Sequence, residues 1–123
     1  MQIKIKATNI ELTGAIESYV EEKLQSVEKF AIAGQEENPL MEVEIGKSNN
    51  HHRSGDVFRA EANLQVAGKY FRVTSEKSDL YAAIDDLRDG LVRELTSHKE
   101  KERTMFRRGA RMIKKIIRFG RAE

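Results

Sequence analysis

The arrangement of apolar residues predicts a small α+β domain of order β-α-β-β-β-α. Four strands form one sheet, two helices pack on one face of it, and a basic amphipathic tail follows. Three observations carry this. Four runs alternate apolar and polar residues with the period of a half-buried strand. Two longer stretches repeat apolar residues at helical spacing. The last twenty residues segregate basic from apolar side chains around a helix. A chain of 123 residues suits one domain.

The first strand is expected over Gln2 to Thr8, with Ile3, Ile5 and Ala7 on one side and Gln2, Lys4 and Lys6 on the other. Thr13 is a candidate N-cap for a helix to about Phe30, whose stripe is Ile16, Val20, Leu24, Val27 and Phe30. AGQEENP (33–39) holds the one Pro and reads as a loop. Met41, Val43 and Ile45 alternate with Glu42 and Glu44 as a second strand. NNHHRSGD (49–56) is a turn or long hairpin loop. Val57 to Val66 then alternates over ten residues, with Phe58, Ala60, Ala62, Leu64 and Val66 inward. Ala67-Gly68-Lys69 is a tight turn into Tyr70–Ser75, where Phe71 and Val73 face in. Such clean alternation packs one sheet face on the core and leaves the other wet.

Ser78 or Asp79 can cap the second long helix, with Leu80, Ala83, Ile84, Leu87, Leu91 and Leu95 as its core stripe. It is expected to end near Arg103. Gly109 costs a continuing helix about 1 kcal/mol relative to Ala, which favours a break near Thr104. The chain therefore divides into a body, 1–103, and a tail, 104–123.

Charge divides at the same place. Residues 104–123 hold seven basic residues and one acid, a formal +6. Residues 1–103 hold fifteen basic and nineteen acidic residues, a formal −4. Wound as a helix, Arg107, Arg108, Arg111, Lys114, Lys115, Arg118 and Arg121 occupy roughly 140° of arc. Met105, Phe106, Ala110, Met112, Ile113, Ile116, Ile117 and Phe119 take the remainder. A basic stripe backed by an apolar one points to a polyanion, either nucleic acid or an anionic membrane.

Other chemistry finds little support. The chain has no Cys, which excludes disulfides, thiolate metal sites and Cys nucleophiles. His51, His52 and Asp56 are close in sequence, but zinc needs three or four converging ligands, so no metal is expected. His98 is expected at a helix end, where it favours the dipole. Tyr81 is expected between helix and sheet, and Tyr70 on the open sheet face. There is no P-loop, G-x-G-x-x-G or H-E-x-x-H, and no catalytic set stands out, so neither an enzyme, a cofactor nor a small-molecule substrate is expected. The opening MQIKIKATNIEL lacks the features of a secretory signal, and no run approaches the roughly 20 apolar residues of a membrane span. A cytoplasmic protein is expected.

Two segments make a family resemblance. HHRSGDVFRAEANL (51–64) carries a His-x-x-Gly-x-x-Phe-x-Ala-Glu pattern on His52, Gly55, Phe58, Ala60 and Glu61. DLYAAIDDLRDGLVREL (79–95) carries Asp-x-Tyr-x-Ala-Ile-Asp on Asp79, Tyr81, Ala83, Ile84 and Asp85. With the opening strand, YVEEKL (19–24) and the hairpin GKYFRV, they resemble the ribosome hibernation factor family, also called ribosome-associated inhibitor or sigma-54 modulation protein. The resemblance covers residues 1 to about 103. It implies a fold similar to a double-stranded-RNA-binding domain. It also implies binding in the mRNA and tRNA channel of the small ribosomal subunit, with rRNA contacted by basic residues of the two helices. The matching positions are Lys23, Lys29, Arg88, Arg93, Lys99, Lys101 and Arg103. On an ideal helix Arg88, Lys99 and Arg103 lie within roughly 60° of arc, a line that could follow one strand's phosphates. The helices also carry Glu17, Glu21, Glu22, Asp85, Asp86, Asp89 and Glu94, which dilute the field.

The expected function is thus a non-enzymatic translation inhibitor that excludes mRNA and tRNA by volume and promotes hibernation. The tail's basic residues would add phosphate contacts, while Phe106, Ile113 and Ile117 would need protein, either a ribosomal protein or a second copy in a homodimer. The alternative is a regulatory interaction protein whose tail docks on an anionic membrane or a protein partner.

Overall fold

The computed structural model describes residues 1–31, 38–48 and 55–121, with side chains described through Arg118. The order is β1 (Gln2–Thr8), α1 (Gly14–Gln25), α2 (Glu28–Ala31), β2 (Leu40–Lys47), β3 (Phe58–Val66), β4 (Lys69–Lys77) and α3 (Leu80–Arg121). The sheet runs β1-β2-β3-β4. β1 and β2 are parallel, joined through the helical crossover, and the other neighbours are antiparallel. The fold is α+β, as the alternation predicts.

Local chemistry sets most boundaries. The Thr13 hydroxyl accepts from the Ile16 amide at 3.2 Å and starts α1. The Asp79 carboxylate does the same for the Ala82 amide at 3.0 Å and starts α3. Ala67 and Gly68 close the β3–β4 hairpin with φ of 51° and 73°, the left-handed pair that a type I′ turn requires.

The core lies between the inner sheet face and α1 and α3. Val20, Leu24, Met41, Ile45, Leu64, Ile84, Leu87 and Leu91 are fully enclosed. The stripe expected on α3 is buried throughout. Gly90 sits where α3 packs tightly on β4. A Cβ there would stand 2.7 Å from Val73 Cγ1, a stiff β-branched side chain that cannot swing away. Ser75, buried in β4, donates from its hydroxyl to Asp86 at 2.6 Å and fixes the same helix in register.

Four expectations change. The first helix does not run unbroken to Phe30. The Ser26 hydroxyl donates to the Lys23 carbonyl at 2.5 Å, competing with the helix ladder, and α1 stops there. A short α2 then carries Phe30 back to the core. The expected break near Thr104 is absent: α3 is a single helix of 42 residues, about 63 Å long. Lys, Glu, Arg, Met and Ala on both sides of Gly109 are strong helix formers, and their summed preference exceeds the glycine penalty. His98 is consequently in mid-helix. Tyr81 packs not on the sheet but edge-on against Tyr19 of α1, with ring centroids 4.7 Å apart. Tyr70 does sit on the open face, 76% exposed.

Candidate nucleic-acid interface

Of the fourteen basic residues singled out in the sequence, the side chains of thirteen are described, and they divide mainly among three environments. The first is the seam where α1 crosses α3. The Tyr19 hydroxyl donates to Asp85 at 2.5 Å, a bond that, with lesser help from desolvation and nearby carboxylates, pushes the phenol up to about 12 and keeps it a donor. Lys23 pairs with the same carboxylate at 3.5 Å and stands 5.6 Å from the centre of the Tyr19 ring. Arg88 donates to the Ser26 hydroxyl at 3.1 Å and pairs with Asp89 at 3.1 Å. Lys23 and Arg88 thus already have protein partners. They stitch two helices together, and any phosphate must compete with Asp85 and Asp89.

The second environment is the far end of the β3–β4 hairpin. Lys69 contacts both Glu102 and His98, and His98 lies 3.0 Å from Glu102. The Phe71 ring meets the imidazole edge-on at 5.4 Å. Lys69 holds the Glu102 carboxyl below its usual range. Beside this clasp a cavity of about 270 Å³ has an apolar floor of Phe30, Val66, Phe71 and Leu95. Lys69, Lys99 and Arg103 rim it. In the sequence Lys69 stands only as a turn residue. The two-residue turn fixed its place at the hairpin tip, but its approach to α3 is tertiary. Lys29 lies nearby on α2, exposed, with its ammonium 5.2 Å from the Phe30 ring centre.

The third environment is the part of α3 beyond Glu102. Every side chain from Arg103 to Arg108 and from Arg111 to Arg118 is exposed. Among the described residues, Arg93, Lys99, Lys101, Arg103, Arg107, Arg108, Arg111, Lys114, Lys115 and Arg118 make no ion pair. No acid occurs between Glu102 and Glu123. Because α3 is continuous, Arg93 and Arg103 lie on the same side of one rod as Arg107, Arg111, Lys114 and Arg118. Upstream, Asp85, Asp89 and Glu100 occupy that side. The unopposed positive field therefore begins at Arg103.

His51 and His52 lie outside the described residues, and among those described no group of acids and histidines could hold a metal ion. No helix of the described residues is long and apolar enough to cross a membrane. On the open sheet face, Glu61 of the sequence motif is clamped between Arg59 at 3.4 Å and Arg72 at 2.5 Å. Lys4, Lys6, Arg59 and Arg72 balance Glu42, Glu44, Glu61 and Glu76 on this face, so the unopposed positive charge lies on α3 from Arg103 onward.

Residues 3–103 match the family described as sigma 54 modulation protein / S30EA ribosomal protein. The chain belongs to this family. A ribosome hibernation promoting factor of Pseudomonas putida is 34% identical over 110 residues, covering 89% of this chain and 98% of that one. That of Escherichia coli is 34% identical over 101 residues, or 82% and 96%. The solved N-terminal domain of Thermus thermophilus Protein Y superposes with a TM-score of 0.66 at 31% identity, covering 80% of this chain and 99% of that domain. A ribosomal subunit interface protein from Coxiella burnetii shares the fold, with a TM-score of 0.66 at 18% identity over 81% and 99% of the two chains. The family match ends at Arg103, where the acid-free stretch of α3 begins.

The environments rank the helix residues. Reversing charge at Lys99 and Arg103 together is expected to weaken ribosome binding at least tenfold and to flatten its log–log salt slope by about 1.5. Thermal stability should hold, since both lie outside the core. Arg88→Glu should instead cost about 1–2 kcal/mol of stability through the lost Ser26 bond and new repulsion from Asp89. Salt-dependent binding assays beside thermal melts check both. Unchanged affinity in the Lys99/Arg103 variant would show that this face is merely solvated.

Proposed function

We propose that this protein is a cytoplasmic, non-enzymatic inhibitor of translation that promotes ribosome hibernation. It occupies the mRNA and tRNA channel of the small ribosomal subunit and excludes both by volume. The observation that carries this reading is the extent of the likeness. The chain spans nearly the whole of bacterial relatives that are named ribosome hibernation promoting factors. Its own electrostatics agree. The body is formally −4 and starts with a long-range repulsion from rRNA, which the tail's +6 reverses. Lys29, Lys99, Lys101 and Arg103 of the body, with the tail's basic face, provide sequence-independent phosphate contacts. Steric exclusion needs no reactive group.

Order of addition in a purified translation system tests this. Protein added before mRNA and initiator tRNA should abolish product. Added after initiation, it should leave the first round of elongation running. Equal inhibition in both orders would argue against channel occupancy.

A further inference from the structure

The exposed half of α3 carries an apolar stripe that the body leaves uncovered. Phe106 is 79% exposed, Met105 72%, Ile116 68% and Ile113 59%. Six large apolar side chains on one stripe exceed the few hundred Å² of contiguous apolar surface usual on a monomer.

Its direction is informative. At 100° per residue, the centre of this stripe lies within about 40° of the centre of the buried stripe Leu80–Leu95. The stripe therefore looks toward the side of the helix on which the sheet packs. The sheet occupies that side as far as the Lys69 clasp at His98 and Glu102. Beyond it is a shelf, bounded by the hairpin tip, about 10 Å deep and about 27 Å long. A flat bilayer cannot reach the stripe without burying the polar hairpin tip in acyl chains. A single helix has the diameter of the shelf.

We propose that the shelf is filled by the tail of a second copy of this chain, antiparallel, about a two-fold axis at Arg111. The register follows from side-chain size. Gly109 and Ala110 leave a depression in mid-stripe, and a Cβ added at Gly109 meets nothing within 4 Å. Antiparallel pairing about Arg111 sets the partner's Ile113 against Gly109. Phe106 meets the partner's Ile116. At the two central levels Ile113 faces Gly109, and the glycine allows close approach of the backbones. In this register Arg121, the last residue of α3, lies within about a turn of the other body's hairpin tip. The six side chains offer on the order of 700 Å² per copy, near the roughly 800 Å² that each partner contributes to a standard interface.

Arg107, Arg108, Arg111, Lys114, Lys115 and Arg118 then face outward on both copies, with no acid among residues 103–122 to oppose them. Their repulsion works against pairing and is screened by salt. The dimer should tighten as salt rises, opposite to phosphate binding, which weakens. The inference rests on the tail's geometry and not on ribosome binding, so the two can fail separately.

The test is sedimentation equilibrium of the full chain between about 0.05 and about 0.5 M salt. Self-association should strengthen at least tenfold across that range, and Ile113→Asp should weaken it at least tenfold with an unchanged melting transition. Mixed Gly109→Cys and Ile113→Cys chains should form a disulfide-linked dimer under mild oxidation, whereas each alone should link poorly. The chain has no native Cys to interfere. A monomer at every salt concentration overturns the proposal, as does a dimer indifferent to Ile113→Asp. Efficient linking of either variant alone overturns the register. Binding to vesicles of anionic and zwitterionic lipid that Ile113→Asp abolishes, without self-association, would assign the stripe to a membrane instead.

Discussion

Replacing the tail's basic residues Arg107, Arg108, Arg111, Lys114, Lys115 and Arg118 by Gln should lower ribosome affinity roughly 10²- to 10³-fold near physiological salt. The number follows from counterion release. If four of the six touch phosphate, the log–log salt slope flattens by roughly 3, since each contact contributes about 0.7 to 0.9. Gln is a good helix former, so α3 should persist and circular dichroism should be little changed. The environments explain why so much of the effect sits here. Lys23 and Arg88 are bonded to Asp85, Ser26 and Asp89, whereas these six have no counter-ion among the described residues. Affinity measured at several salt concentrations decides the matter. A variant that keeps the wild-type slope would remove the tail from the RNA contact.

Leu91→Ala should be the most damaging single change to the fold. Leu91 is fully buried on α3 next to Gly90, where helix and sheet pack tightly. Removing its side chain deletes apolar contacts and leaves a cavity that the rigid sheet cannot close, for about 3 kcal/mol. In a domain of this size that lowers Tm by roughly 10–20 °C. Ile113→Ala, on the same stripe of the same helix but beyond the sheet, should leave the dilute monomer's melting almost unchanged. Gly90→Ala should also destabilise, since the clash with Val73 outweighs the better helix propensity of Ala. Thermal melts of the three variants check the series. A Leu91→Ala melt within about 2 °C of wild type would place α3 outside the core.

The elements that were legible in the sequence are those whose signal is local. Thr13 and Asp79 cap through their own neighbours, and the stripe from Leu80 to Leu95 needs only helical periodicity. The alternation in β3 fixes its inner face regardless of partner. What was not legible depends on competition or on distant contacts. Ser26 ends α1 by a bond to the Lys23 carbonyl, one of several local bonds open to a serine, and residue type does not say which of them forms. Gly109 argued for a break on its own, but helix continuity is a sum over many residues, and the basic tail supplies strong formers. For the candidate site, residue type identified every cation, but not which were free. That depended on Asp85 and Ser26 arriving from across the α1–α3 seam, and on the β-hairpin bringing Lys69 beside Lys99 and Arg103.

The most direct test of channel occupancy is pelleting of the pure protein with purified ribosomal subunits, empty or preloaded with mRNA and initiator tRNA. Channel occupancy predicts binding to empty small subunits, little to large subunits, and loss of binding once the channel is filled. Binding to large subunits alone, or binding to small subunits that is indifferent to preloaded mRNA and tRNA, would contradict it.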